Sequence, residues 1–180
     1  NNFINLSNNG TIFHNQTFLS YHKQRSFVDH SLIFKQDNKI VALFPAALEI
    51  EKNKKNLHSH PGSSYGGFVL INNLCFSIIH DMFVALDDYC FKKNFDSVSL
   101  INTPKIYFNR QDESLSYLLK WNGFINNETY ISHAVYLNKN VDVNLLLTKR
   151  KKRYLNNSEK LKKIKFDLSL QFAEFYEILD

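Results

Sequence analysis

Apolar positions along the chain change their period several times, and each change predicts an element. Between residues 74 and 93, Phe76, Ile79, Phe83, Leu86 and Cys90 recur at steps of three and four, which builds one apolar face of a helix. Asn73 is its expected N-cap, Lys92 and Lys93 suit the negative end of its dipole, and Asn94 can take the left-handed closing conformation. Residues 68–71 form a short continuous apolar run, the pattern of a strand buried on both faces. Residues 31–35 and 97–101 read as strands, and Asp37-Asn38 as a turn. A second strand starts at Lys39 and continues through Pro45 to Ile50. Proline cannot donate to a ladder, so Pro45 marks an edge or a bulge, and the pair becomes a hairpin with a kinked second strand. Residues 51–56 read as a polar turn.

Outside this centre the signals are shorter. Residues 1–6 read as a helix broken by Asn8-Asn9-Gly10, and residues 17–23 as another. Residues 112–121 form a helix with an acidic first turn, closed by Asn122-Gly123. A strand over 129–137, an increasingly basic helix over 143–159, a strand over 164–168 and a helix over 170–179 complete the order, and there is no internal repeat. Early strands joined by short turns are antiparallel, while a strand–helix–strand order in the middle demands a crossover and parallel pairing. The expected fold class is therefore α/β in the α+β sense. It is a mixed, mostly antiparallel twisted sheet with a parallel central pair and helices on both faces. The strand ending at Thr103-Pro104 is placed centrally.

Composition narrows this picture. In 180 residues, 44% hydrophobic, there is enough apolar material for a core, and 5 Gly with 3 Pro exclude a linker-rich or collagenous chain. The formal charge of +5 is local: Lys149-Arg150-Lys151-Lys152-Arg153 carries five cations in a row, and without that stretch and the lysines after it the chain is slightly acidic. Three readings of the run stand side by side. It can bind phosphates of a nucleotide-linked substrate, coenzyme A or tRNA; it can lie on an anionic membrane surface; or it is a solvated helix end. Only Tyr154 interleaves the run, which weakens a single-strand nucleic-acid reading. Cys75 and Cys90 have no metal-like spacing and imply neither a disulfide framework nor a zinc site. No apolar run reaches the roughly 20 residues that span a bilayer, and no signal peptide is visible, so a reducing cytoplasm is the expected compartment. The chain opens at Asn1 without Met, which reads as a trimmed or disordered start.

Three of the five glycines fall in Ser59-His60-Pro61-Gly62-Ser63-Ser64-Tyr65-Gly66-Gly67. Such a segment either lets backbone approach a ligand closely or turns the chain between two strands. The nonapeptide resembles the SHPGxxYGG segment of Fem-like bacterial acyltransferases of the GNAT superfamily. Weaker support comes from Tyr21-His22, Pro45-Ala46, Thr103-Pro104-Lys105-Ile106-Tyr107 and Ser116-Tyr117-Leu118-Leu119. The resemblance spans residues 1–170. It implies a GNAT-like domain over 1–161, with 162–180 as the opening of a second GNAT unit of the same gene. It further implies transfer of an acetyl or aminoacyl group onto an amine of a sugar or peptide cell-envelope precursor, at the inner face of the membrane. The donor is acyl-CoA, with aminoacyl-tRNA as the alternative; no metal is implied. The wider superfamily holds the coenzyme A pyrophosphate on a Q/RxxGxG/A loop before the long helix. Here Ile71-Asn72-Asn73-Leu74 stands in that place, with no glycine, Arg or Gln. This departure favours a second reading, a non-catalytic acceptor-binding half.

Against that background, His60, Tyr65 and Tyr107 are the catalytic candidates, since acylation of an amine needs a proton taken from the nucleophile and one given to the leaving group. Ser59, Gly62, Ser64, Gly66, Gly67 and Arg110 are the substrate-binding candidates. His58 shares an extended face with His60, but no third ligand is suitably spaced for a metal. His80-Asp81 and the adjacent Asp87-Asp88 read as surface of the long helix.

Overall fold

The computed structural model describes residues 2–20, 27–131, 142, 145 and 147–157. The chain divides into two compact units, Asn1–His133 and Ala134–Asp180. The first is an α+β unit with a mixed sheet arrangement. Its elements run α1 (Asn2–Leu6), a 3-10 turn (Ile12–His14), α2 (Gln16–Leu19), β1 (Val28–Asp29), β2 (Leu32–Gln36), β3 (Lys39–Phe44), β4 (Ala47–Glu51), β5 (Lys54–Ser59), β6 (Val69–Leu70), α3 (Phe76–Lys93), β7 (Ser97–Leu100), a 3-10 turn (Lys105–Tyr107) and α4 (Ser114–Trp121). In the second unit the described helix is α5 (Lys149–Asn157). Among the described residues no helix is long and apolar enough to cross a membrane.

The strands form two sheets, ordered β1-β4-β5-β7 and β2-β3-β6. Asp37 and Asn38 both have positive φ, so they close β2 onto β3 with the left-handed turn that a two-residue hairpin needs. The bend expected at Pro45 is where this pair leaves one sheet and enters the other. Opposite it, the His30 N–H donates to the Ala46 carbonyl and the Ala46 N–H donates to Ser31 Oγ.

Two expectations are corrected here. Residues 54–59 are a strand, not part of a turn and loop: the turn is confined to Lys52-Asn53, again at positive φ. Lys54, Lys55 and Asn56 read as polar because β5 exposes its first residues, while Leu57 and Ser59 are fully buried. The parallel partner of β7 is this β5, not β6, with Leu57 opposite Val98 and Ser59 opposite Leu100. Both edges of β6 are taken, one by β3 and the other by the N-terminal segment, where Ser7 bridges Ile71 and the Asn8 N–H donates to Leu70. Consequently β7 is an edge strand of its sheet among the described residues, not a central one.

Helix α3 starts at Phe76, where its apolar period begins, two residues after the expected start at Leu74. Cys75 is the N-cap, Asn73 lies in a left-handed turn before it, and Asn94 closes the helix in the left-handed conformation. Its face of Ile79, Met82, Phe83 and Leu86 packs with Phe44, Leu57 and Phe68 from the strands and Leu115, Leu118 and Leu119 from α4. Burying side chains of this size stabilises by about 1.5–3 kcal/mol each, which makes this the unit's principal core. Residues 129–131 carry no strand. Within the helix expected over 143–159, Leu147 is a bend and Thr148 carries no helix, so α5 begins only at Lys149. Residues 143, 144, 146, 158 and 159, the rest of the strand expected over 129–137, and the strand and helix expected over 164–179 lie outside the described residues.

Candidate active site

The nonapeptide occupies the seam between the two sheets. At Ser59 strand β5 ends, and Gly66 takes over its place beside β7: the Gly66 N–H donates to the Ile101 carbonyl at 2.8 Å, and Gly66 forms a parallel bridge with Asn102. The loop thus leaves the carboxyl end of β5 and returns to that same end. A Cβ on Gly66 would lie 2.6 Å from the Ser59 carbonyl oxygen and 2.7 Å from the His60 nitrogen. Backbone crosses backbone there, and only glycine fits. Gly67 has φ +82 and rests on Asn102 and Leu100.

Ser59 is fully buried and clips the seam together. Its hydroxyl donates to the Pro45 carbonyl and accepts from the Gly67 N–H at 2.9 Å. His60 is buried too; its Nδ1 lies 2.8 Å from the Pro61 carbonyl and its ring meets Phe27 edge-on. Gly62 is exposed with φ 83, and Ser64 is exposed. Ser63 ties the loop back, its N–H to the His60 carbonyl and its hydroxyl to the Phe13 carbonyl.

Tyr65 and Tyr107 come together. One belongs to the loop after β5, the other to the 3-10 turn after β7. Their rings stack with centroids 5.8 Å apart, and Phe13 meets the Tyr65 ring edge-on at 4.6 Å. Burial, then the hydroxyl of Tyr107, pushes the Tyr65 phenol up to about 12. It therefore stays protonated across the neutral range and can donate but not act as a base. Tyr107 is half-exposed and also walls an open pocket of about 400 Å³ lined by Asn5, Thr11, Asn15 and Asn109. Arg110 makes a different contact. Its guanidinium donates to Asn73 Oδ1, at the turn that precedes α3.

Sequence reasoning missed the residues that hold this seam. His14 Nε2 lies 3.1 Å from the Gly66 carbonyl, while the Thr11 N–H donates to its Nδ1. The ring is thus the Nε2–H tautomer, and burial lowers its pKa from the usual histidine value, opposed by the bond to Gly66. Asn9 replaces a strand partner, donating from Nδ2 to the Phe68 carbonyl at 2.7 Å and accepting the Leu70 N–H at 2.9 Å. Asn8 does the same for Arg110, whose N–H it accepts at 2.8 Å and whose carbonyl it reaches at 3.0 Å. The Asn8-Asn9-Gly10 break was the available signal, since paired Asn beside Gly suits side-chain-to-backbone bonding. His58 also acquires a partner invisible along the chain: its Nδ1 is 3.1 Å from Glu49 Oε2, which Asn56 also contacts across β4 and β5. Among the described residues, no three His, Cys, Asp or Glu side chains group as a metal site.

No family model matches this chain, and no curated protein matches it. Two solved structures resemble it. A point mutant of TTHA1254 from Thermus thermophilus matches with a TM-score of 0.41 and 12% identity, over 62% of this chain and 75% of that one. The wild type of the same protein matches with a TM-score of 0.40 and 12% identity, over 61% and 73%.

Proposed function

We propose that this chain is an acyltransferase of the GNAT type, moving an acetyl or aminoacyl group onto an amine of a sugar or peptide cell-envelope precursor. One observation carries the reading. Tyr65 and Tyr107 meet at the carboxyl end of the parallel pair β5–β7, each from the loop after one of those strands. In sheets with parallel strands, ligands collect outside those ends.

The chemistry such a site would perform is direct transfer. A neutral amine attacks the carbonyl carbon of a thioester or ester. The C–N bond forms, the C–S or C–O bond breaks, the amine loses a proton and the leaving group gains one. A phenol that stays protonated up to about 12 is a steady hydrogen-bond donor and a weak acid, so Tyr65 is assigned as the donor that stabilises the departing thiolate or alkoxide, with Tyr107 as its partner, and the leaving group takes its proton from solvent. The base role suits His60 less well, because its Nδ1 is committed to the Pro61 carbonyl and the ring is buried. Arg110, beside the turn before α3, supports a phosphate-bearing donor such as acyl-CoA. The second reading, an acceptor-binding half, is favoured by that turn itself, where 71–74 offers no glycine.

Calorimetric titration with acetyl-CoA, against free coenzyme A, separates the two. Saturable binding weakened about tenfold by Arg110→Gln supports the transferase. Failure to bind at about 1 mM donor, with the fold intact by circular dichroism, removes the self-sufficient acetyltransferase and leaves either an aminoacyl-tRNA user or the acceptor-binding half.

A further inference from the structure

Helix α5 spans nine residues, Lys-Arg-Lys-Lys-Arg-Tyr-Leu-Asn-Asn, with no acid among them and none buried. Among the described residues, none of its five cations has an ion-pair partner. At about 100° per residue, Lys149 and Arg153 lie about 40° apart, Arg150 at about 100°, Lys151 at about 200° and Lys152 at about 300° from Lys149. Positive charge is therefore spread around the helix, with Lys149, Arg150, Lys151 and Arg153 exposed and Lys152 half-buried. Tyr154 and Leu155 are 68% and 45% exposed. They fall at about 140° and 240°, with Lys151 between them.

We propose that α5 binds double-helical DNA by inserting into its phosphate-lined major groove, without reading sequence. A helix lying on a bilayer needs a continuous apolar stripe about 100° wide or more, and Lys151 splits the only apolar pair. A flat anionic surface also neutralises only the charges on one side. A groove walled by phosphates on both flanks reaches charges around most of the circumference. The B-form major groove is about 12 Å wide and admits a helix about 10–12 Å across, whereas the A-form major groove is too deep and narrow. Single strands are held on aromatic platforms, and α5 offers one aromatic. Asn156 and Asn157 extend the polar surface with amides that suit phosphate and sugar oxygens.

The test uses the full chain and a labelled mixed-sequence DNA duplex of about two helical turns, followed by fluorescence anisotropy. Four to five neutralised phosphates give a slope of log K against log salt of about −4, a fall of about two-hundredfold between about 50 and 200 mM KCl. Replacing Lys149→Gln, Arg150→Gln, Lys151→Gln, Lys152→Gln and Arg153→Gln together lowers affinity at low salt by about tenfold or more and flattens the slope. Glutamine keeps helix propensity, and circular dichroism checks it. Lys92→Gln with Lys93→Gln, on α3, leaves binding unchanged. The proposal is overturned by equal binding of the five-fold variant. Tighter binding to an RNA duplex, to a single strand, or to phosphatidylserine–phosphatidylcholine vesicles overturns it as well.

Discussion

At the seam between the sheets, polar side chains are buried and turned inward; on α5 all but the half-buried Lys152 are exposed. Ser7, Asn8, Asn9, His14, Ser59, His60 and Thr103 are all buried, and each has a hydrogen-bond partner in its own unit. The cations of α5 have no such partner among the described residues. In the first region a polar group is part of the fold, because an unpaired buried group costs about 1–3 kcal/mol. In the second, water satisfies each group, and substitution touches only what the helix meets. The same residue types thus report on stability in one place and on binding in the other.

Gly66→Ala tests the buried side of that contrast most severely. Its Cβ would meet backbone on the crossing strand at 2.6 Å, so we expect a loss of about 3 kcal/mol or failure to fold, read by urea denaturation. Asn9→Ala comes next. It strands the Phe68 carbonyl and the Leu70 N–H, and should cost about 2 kcal/mol, seen as a lower urea midpoint at unchanged slope.

His14 sharpens the comparison through pH. Its folded pKa lies below the unfolded value of 6.5, so its contribution is fully present above that value. As pH falls through 6.5 towards the folded pKa, the unfolded chain binds the proton first and stability is lost. The slope contributed approaches about 1.4 kcal/mol per pH unit, and His14→Gln should flatten it in pH-resolved denaturation. The smallest effect belongs to α5. Glutamine at its five cationic positions should move stability by no more than about 0.5 kcal/mol in the same assay. A larger change would mean that the helix has a structural partner and would break the contrast.

What could be read along the chain was whatever repeats locally. The apolar period of α3 and the left-handed closure at Asn94 follow from side chains three, four or one residue apart. So do the Asp37-Asn38 turn, the bend at Pro45 and the glycine cluster at 62–67. Strand β5 was not legible because its first residues are solvent-facing, and its identity comes from β4 on one edge and β7 on the other. For the candidate site, Tyr65 and Tyr107 were each selected from the sequence, but their stacking was not, since 42 positions separate them. His14 was passed over because nothing near it in sequence shows that Gly66 is its partner.

The sequence by itself determined the body of α3 and α4, the Asp37-Asn38 turn, the concentration of charge at 149–153 and the one segment bare enough for backbone to cross backbone. These depend on residue type and short-range geometry alone. Tertiary structure decided which strands became neighbours, that β7 pairs with β5, and that Asn9 and His14 close the seam. Strand partners are chosen by competition for unpaired edges. With β3 and the N-terminal segment already on β6, the remaining edge of β5 was the one left for β7.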